Sequence, residues 1–267
     1  MEDTQFRQLI DRFGYSWTGY RRVRKGVKKR LSRRMQEIRC RNIDEYIDVI
    51  EQNREERLHF ERLMTVSISR FFRDREFWMI MYERILPHLI HKNSRTIKVW
   101  FAGCASGEEV YTFKILWEDL RNAANHIPDI FILATDMNPE YLNRAKEAVY
   151  TRSSMKNVTE TIRSTYFKTY SRGRFVLKPD IKDGIVWQVH QLLSEHPGIA
   201  FDLIFLRNNL LTYYLDEIKI PAIKRVIENL TVGGFIIIGS HERMPTEVIE
   251  LKPYENSTII FRKGSFL

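Results

Sequence analysis

Apolar residues recur every three or four positions through the first sixty-odd residues. Val23, Val27, Leu31, Met35 and Ile38 form one stripe, the signature of an amphipathic helix with one buried face. The pattern restarts after Asn42 with Tyr46, Ile47 and Ile50, and Phe60, Leu63 and Met64 continue it. Residues 1–65 therefore read as a small helical module. From about residue 97 the pattern changes to short β-rich apolar runs, Ile97–Ala102, Ile130–Thr135, Phe201–Leu206 and Phe235–Ile238. Helical stretches separate them, and between the first two Val110, Phe113, Trp117 and Leu120 share one helical face. This alternation predicts an α/β architecture with a mostly parallel sheet covered on both sides. Ligands of such sheets sit beyond the carboxyl ends of the strands.

Between Tyr166 and Trp187, two short runs flank Ser171-Arg172-Gly173, which predicts a hairpin inserted in the sheet domain. The expected division is a helical domain over residues 1–75 and a sheet domain over 76–267, with the inserted antiparallel β-subdomain at about 165–187.

Charge adds one feature. Residues 21–41 hold eleven Lys or Arg against the single acid Glu37, a local +10 within a chain whose total is +9. One basic helix face thus sits on a nearly neutral protein, and such a face steers acidic partners. Cys40 and Cys104 are too far apart for a CxxC site and too few for a disulfide framework, so a reducing cytoplasm is expected. No apolar run reaches the ~18 residues of a membrane span, and the first residues lack the basic and apolar regions of a secretory leader. Membrane insertion is not expected.

Candidate chemistry gathers at the strand ends. The first strand runs into Gly103-Cys104-Ala105-Ser106-Gly107-Glu108-Glu109. Its glycines permit a tight turn, while two acids at a helix start would repel a pyrophosphate and suit a cationic or hydroxyl-rich ligand. The loop is not GxGxxG, and Ala105 stands where GxSxG requires serine. The seven histidines show no metal-binding spacing, so no metal is expected. The second strand ends at Asp136, followed by Met137; an acid here accepts from ribose hydroxyls or caps the next helix. The third ends in Arg207-Asn208, polar groups able to bind a carboxylate or a purine edge.

Taken together, several segments carry a resemblance: Ser67-Ile68-Ser69-Arg70-Phe71-Phe72-Arg73-Asp74, Trp100 to Glu109, Ala134-Thr135-Asp136-Met137, Phe201 to Asn208, and Gly233 to Glu242. Over roughly residues 10 to 245 the chain resembles the CheR family of chemoreceptor glutamate methyltransferases. The resemblance implies a Rossmann-like class I sheet that binds S-adenosyl-L-methionine and releases S-adenosyl-L-homocysteine. The family's Asn-x-Thr-x-Phe-Phe-Arg segment falls on Ser67, Ser69 and Arg73, with serines for Asn and Thr. Its glycine-loop acid falls on Glu108 or Glu109, beside Gly103, its ribose acid on Asp136 next to Met137, its Asn-Leu stretch on Gln191-Leu192, and its Arg-Asn pair on Arg207 and Asn208.

One departure bears on catalysis. Thr212 stands where the family's active-site tyrosine is expected, leaving Tyr213 or Tyr214 to substitute; Arg73 and Tyr213 are the catalytic candidates. The resemblance implies an acidic helical protein substrate, the cytoplasmic part of a chemoreceptor, docked on Arg30, Arg33 and Arg34. The hairpin tip is shorter than in relatives that grip a receptor's terminal pentapeptide, so no such tether is expected, and a monomer is. Two competing readings are a nucleic-acid methyltransferase using the basic face, which the lack of an Asp/Asn-Pro-Pro-Tyr signature disfavours, and a non-catalytic cofactor-binding protein.

Overall fold

The computed structural model describes residues 1–92, 95–124 and 126–264. The chain packs as two units, one of Met1–Val66 with Asn208–Ile223, the other of Ser67–Arg207 with Lys224–Leu267. Packing thus divides the chain at 66/67, ahead of the 75/76 division expected from sequence.

The first unit is built on helices Asp3–Arg12, Arg24–Glu37, Ile43–Gln52 and Arg54–Met64. The last two begin where asparagines cap them: Asn42 accepts from the Glu45 amide, and Asn53 from the amides of Glu55 and Glu56. Such caps satisfy amides that a helix start leaves unpaired and contribute about 1 kcal/mol each. The apolar stripes meet in a core that includes Phe6, Ile10, Leu31, Tyr46, Phe60 and Met64, all at most 1 % exposed. Burying such side chains supplies roughly 1.5–3 kcal/mol apiece, so the core, not helix propensity, holds these short helices.

Among the described residues the second unit carries ten strands: β1 Thr96–Ala102, β2 Asp129–Asp136, β3 Val149–Thr151, β4 Phe167–Ser171, β5 Arg174–Leu177, β6 Ile185–Val189, β7 Phe201–Leu206, β8 Leu230–Ile238, β9 Leu251–Pro253 and β10 Ile260–Lys263. Seven form one sheet in the order β6-β2-β1-β7-β8-β10-β9. The first five run parallel, and β10 pairs antiparallel with both β8 and β9. Every residue of β7 is buried, as expected of a central strand covered on both faces. Even its Asp202 is satisfied, by the Lys98 amide at 3.0 Å and the Thr231 hydroxyl at 3.3 Å. Strand order reverses between β1 and β7, which places a crevice at the carboxyl end of β1.

The remaining strands form a small antiparallel sheet, β3-β5-β4. It differs from the hairpin expected at 165–187 in two ways. Val149–Thr151 adds a third strand from upstream, and Ile185–Val189 instead closes the edge of the large sheet beside β2. Three residues are too few for a period-2 pattern to register, and which sheet an edge strand joins is decided by packing: Trp187 of β6 sits against Tyr111, ring centroids 5.7 Å apart.

Candidate cofactor site

The loop after β1 is folded by three backbone constraints. The amides of Gly103 and Cys104 both donate to the Thr135 carbonyl at 2.8 Å, tying it to the end of β2. Gly103, Ala105 and Gly107 all lie in the left-handed region, at φ of 88°, 49° and 83°. At Gly107 a second reason for glycine applies, because a Cβ would lie 2.9 Å from the Ala145 Cβ and 3.0 Å from the Trp187 ring. The helix Glu108–Ala123 starts immediately afterwards.

Asp136 stands at the tip of β2 with both carboxylate oxygens engaged, one by the Ala105 amide and one by the Asn138 amide, each at 2.9 Å. Burial pushes its carboxyl up to about 6, against the two hydrogen bonds. Each oxygen keeps a second lone pair, so the group can still accept from vicinal hydroxyls. The end of β6 reaches the same place. Val189 pairs with Asp136, and the His190 amide donates to the Asp136 carbonyl at 3.2 Å. Gln191 and Leu192 follow directly, the Gln191 amide held by the Glu195 carboxylate.

Glu108 is 5 % exposed, and burial raises its carboxyl above the usual range. The Ser154 hydroxyl donates to its Oε1 at 3.2 Å, and Ser69 also hydrogen-bonds the carboxylate. Its Oε2 is buried with no hydrogen-bond partner. A buried acceptor of this kind is costly unless a donor meets it, and a cationic amine is the donor that would gain most from it. The residues present therefore fit a ligand carrying an amine and a ribose.

The segment Ser67–Asp74 is strapped across this region. The Phe71 amide donates to the Ser154 carbonyl and the Phe72 amide to the Thr112 hydroxyl, both at 3.1 Å. Phe72 and Asp74 have φ of 51° and 60°, a conformation that costs non-glycine residues of order 1–3 kcal/mol and persists only where the surroundings impose it. Arg73 folds back to donate to the Ile68 carbonyl at 3.0 Å. Arg207, at the end of β7, has a side chain only 1 % exposed; it pairs with Asp74 at 2.5 Å and with Glu109.

The structure thus brings Ser69, Gly103, Glu108, Asp136, Met137, Gln191 and Leu192 to the carboxyl ends of β1, β2 and β6 or onto the strap. It directs Glu109 and Arg207 at each other. Ser154, Thr112 and Asp74 were missed. Asp74 directly follows the recognised Arg73, which was a usable signal; Ser154 lies 46 positions from Glu108 and had none.

Other expected residues belong to the helical unit. Asn208 opens its second segment with a φ of 56°. The Tyr213 ring lies 4.8 Å from that of Tyr20, and Tyr214 lies 4.8 Å from Tyr15. Of the three expected docking arginines only Arg33 is exposed. Arg30 donates to the carbonyls of Leu63 and Thr65, and Arg34 forks onto the buried carboxylate of Glu56 at 2.5 Å. A sequence signal existed: Arg34 lies seven residues after Val27, on the apolar stripe itself. Among the described residues no group of three or more His, Cys, Asp or Glu is arranged to hold a metal ion, and no helix is long and apolar enough to cross a membrane.

Strand order, switch-point crevice and acid-lined pocket define a class I methyltransferase sheet with an all-helical unit. Residues 67–260 match the family described as CheR methyltransferase, SAM binding domain, and residues 4–65 match its all-alpha domain. The chain belongs to the CheR methyltransferase family, and its cofactor is S-adenosylmethionine. It is 34 % identical over 185 residues to a chemotaxis protein methyltransferase of Listeria monocytogenes, covering 69 % of this chain and 68 % of that one. Against chemotaxis protein methyltransferase 1 of Pseudomonas aeruginosa, identity is 27 % over 224 residues, covering 82 % and 81 %. A 104.1 kDa protein of Rhodobacter capsulatus is 29 % identical over 220 residues, but the match spans 23 % of its length. Among solved structures, the N-methyltransferase NodS from Bradyrhizobium japonicum shows a TM-score of 0.41 at 15 % identity, covering 82 % of this chain and 98 % of that one.

Proposed function

We propose that this protein methylates glutamate side chains on an acidic helical region of a chemoreceptor, giving glutamate methyl esters. The observation that carries the substrate class is the exposed cationic row Lys25, Lys29 and Arg33 on the helix Arg24–Glu37. Steps of four residues align these side chains along about 12 Å of one helix face. That is a spacing at which carboxylates on a second helix can pair with them.

S-adenosylmethionine supplies a methyl group on a sulfonium. Asp136 would accept from the ribose hydroxyls, Glu108 with Ser69 and Ser154 would hold the amine, and Arg73 would pair with the cofactor's carboxylate. Gly103 lets backbone approach, and Met137, Gln191 and Leu192 line the adenine side. A solvent-exposed glutamate has a reference pKa of about 4.3 and is ionised at neutral pH, so no residue need remove a proton. The chain's contribution is alignment and exclusion of water. The short tip at Arg172-Gly173, with Gly173 at φ 74°, supports a protein that works without a receptor-tail tether.

The test is transfer of tritiated methyl to receptor fragments and to RNA. Base-labile label on the fragment is expected. Label on RNA, or none on either, overturns the proposal.

A further inference from the structure

We infer that Arg207 is a positioning residue, a latch whose ion pairs with Asp74 and Glu109 set the affinity for the amino-acid end of the cofactor. The inference rests on the reading that Glu108 and the strap hold that end while Asp136 holds the ribose. The resemblance made Arg207 a direct cofactor ligand; the geometry points elsewhere.

The guanidinium lies 4.5 Å over the Phe77 ring and is walled off from solvent, its side chain 1 % exposed. One terminal nitrogen binds Asp74, 133 positions away, and the other binds Glu109, 98 positions away. Asp74 ends the strap and precedes the helix Arg75–Ile80, while Glu109 lies in the first turn of the glycine-loop helix. One planar fork thus joins the strap to the element that carries Glu108. Lysine, a point charge, cannot hold two carboxylates in one plane this way.

The strap needs such a restraint. Phe72 and Asp74 both hold left-handed backbone, and the same stretch presents Ser69 to Glu108. Where a short segment with two strained residues carries a ligand-facing hydroxyl, loss of the restraint releases the segment before it unfolds the core. Two carboxylates around one guanidinium also leave the cluster with a net negative charge, which favours an ammonium in the neighbouring pocket.

The experiment compares Asp74→Asn, Glu109→Gln and Arg207→Lys with the unaltered chain. Calorimetry measures binding of S-adenosylhomocysteine and of methylthioadenosine, which lacks the amino-acid end. Each variant is expected to weaken the first by about tenfold or more, the scale of one charge-assisted hydrogen bond, and the second by less than about threefold. Trypsin should cut after Arg70 or Arg73 several times faster, with cleavage elsewhere unchanged. Equal weakening of both ligands, unchanged homocysteine-nucleoside affinity, or faster cleavage throughout the chain would overturn the latch. If the unaltered chain binds neither ligand, the reading of the pocket fails and the latch falls with it.

Discussion

Asp136, the last residue of β2, and Ala105, in the loop after β1, are joined by a 2.9 Å hydrogen bond from the Ala105 amide to the Asp136 carboxylate. The bond makes Asp136 a structural part of the glycine loop. It also means that protonation of one carboxyl bears on loop and ligand together.

A pH dependence follows. The Asp136 carboxyl sits at about 6 in the folded chain, above its ordinary value of 3.8. A raised carboxyl means that the folded state holds the proton longer than the unfolded chain. Its contribution to stability is thus full below about pH 4 and is lost as pH rises through about 6. Cofactor binding runs the other way, because the ionised group is the better acceptor for two hydroxyls. S-adenosylhomocysteine affinity should therefore rise between pH 5 and 7, by up to about tenfold per pH unit below 6. Calorimetry at three pH values checks this; a flat profile would remove Asp136 from the ribose site.

The basic helix separates into two sets of cations. Arg34 neutralises Glu56, which is 5 % exposed and also accepts from the Tyr46 hydroxyl. Removing a partner from a buried pair costs about 3–5 kcal/mol, so Arg34→Met should lower the melting temperature markedly, and Arg30→Ala should lower it by taking the guanidinium donor from the Leu63 and Thr65 carbonyls. Lys25→Glu, Lys29→Glu and Arg33→Glu change exposed positions and should leave stability within about 0.5 kcal/mol each. Combined, they should cut receptor methylation at least tenfold while sparing cofactor affinity. Receptor methylation unaffected by the triple reversal would end the docking role of this face.

Much of this arrangement was legible in the chain. Strands β1, β2 and β7 announce themselves as apolar runs, and Gly103, Asp136 and Arg207 stand out as the glycine and charges at or just past their ends. Periodicity could not show that Arg207 faces inward to Asp74, since its partners lie about a hundred positions away. β3 and β6 were hidden for another reason: a three-residue strand and a half-exposed edge strand carry too little pattern. The inward turn of Arg30 and Arg34 was readable by helical spacing but masked by the sheer density of positive charge.

Two glycines give opposite predictions. Gly107→Ala forces a side chain onto φ 83° with contacts at 2.9 and 3.0 Å, and should cost about 2–4 kcal/mol with loss of cofactor binding. Gly26 lies inside the basic helix, and its Cβ would meet only the Arg30 side chain at 4.0 Å. Gly26→Ala should stabilise by about 0.5–1 kcal/mol. Thermal melts of the two variants provide the comparison, and a tolerated Gly107→Ala would contradict the close approach of Ala145 and Trp187.

The phenol question left by Thr212 has a definite structural setting. The Tyr214 hydroxyl is hydrogen-bonded to Tyr15, and burial pushes it up to about 12. The Gly19 backbone presses against the Thr212 carbonyl so closely that a Cβ there would fall 2.1 Å from the oxygen, and the Ser16 amide donates to the Tyr213 carbonyl at 2.8 Å. These contacts fix the short helix Leu210–Tyr213, which carries the catalytic candidate Tyr213. Tyr213→Phe keeps the ring against Tyr20 and removes only the hydroxyl. It should lower kcat about tenfold or more, the worth of one hydrogen bond at the reacting groups, with KM for the cofactor and the melting temperature little changed. Tyr214→Phe should leave kcat alone and lower the melting temperature, because it deletes a buried hydrogen bond worth about 1 kcal/mol. Steady-state kinetics on both variants decide the matter: unchanged kcat in Tyr213→Phe would mean that methyl transfer in this chain needs no phenol from this segment.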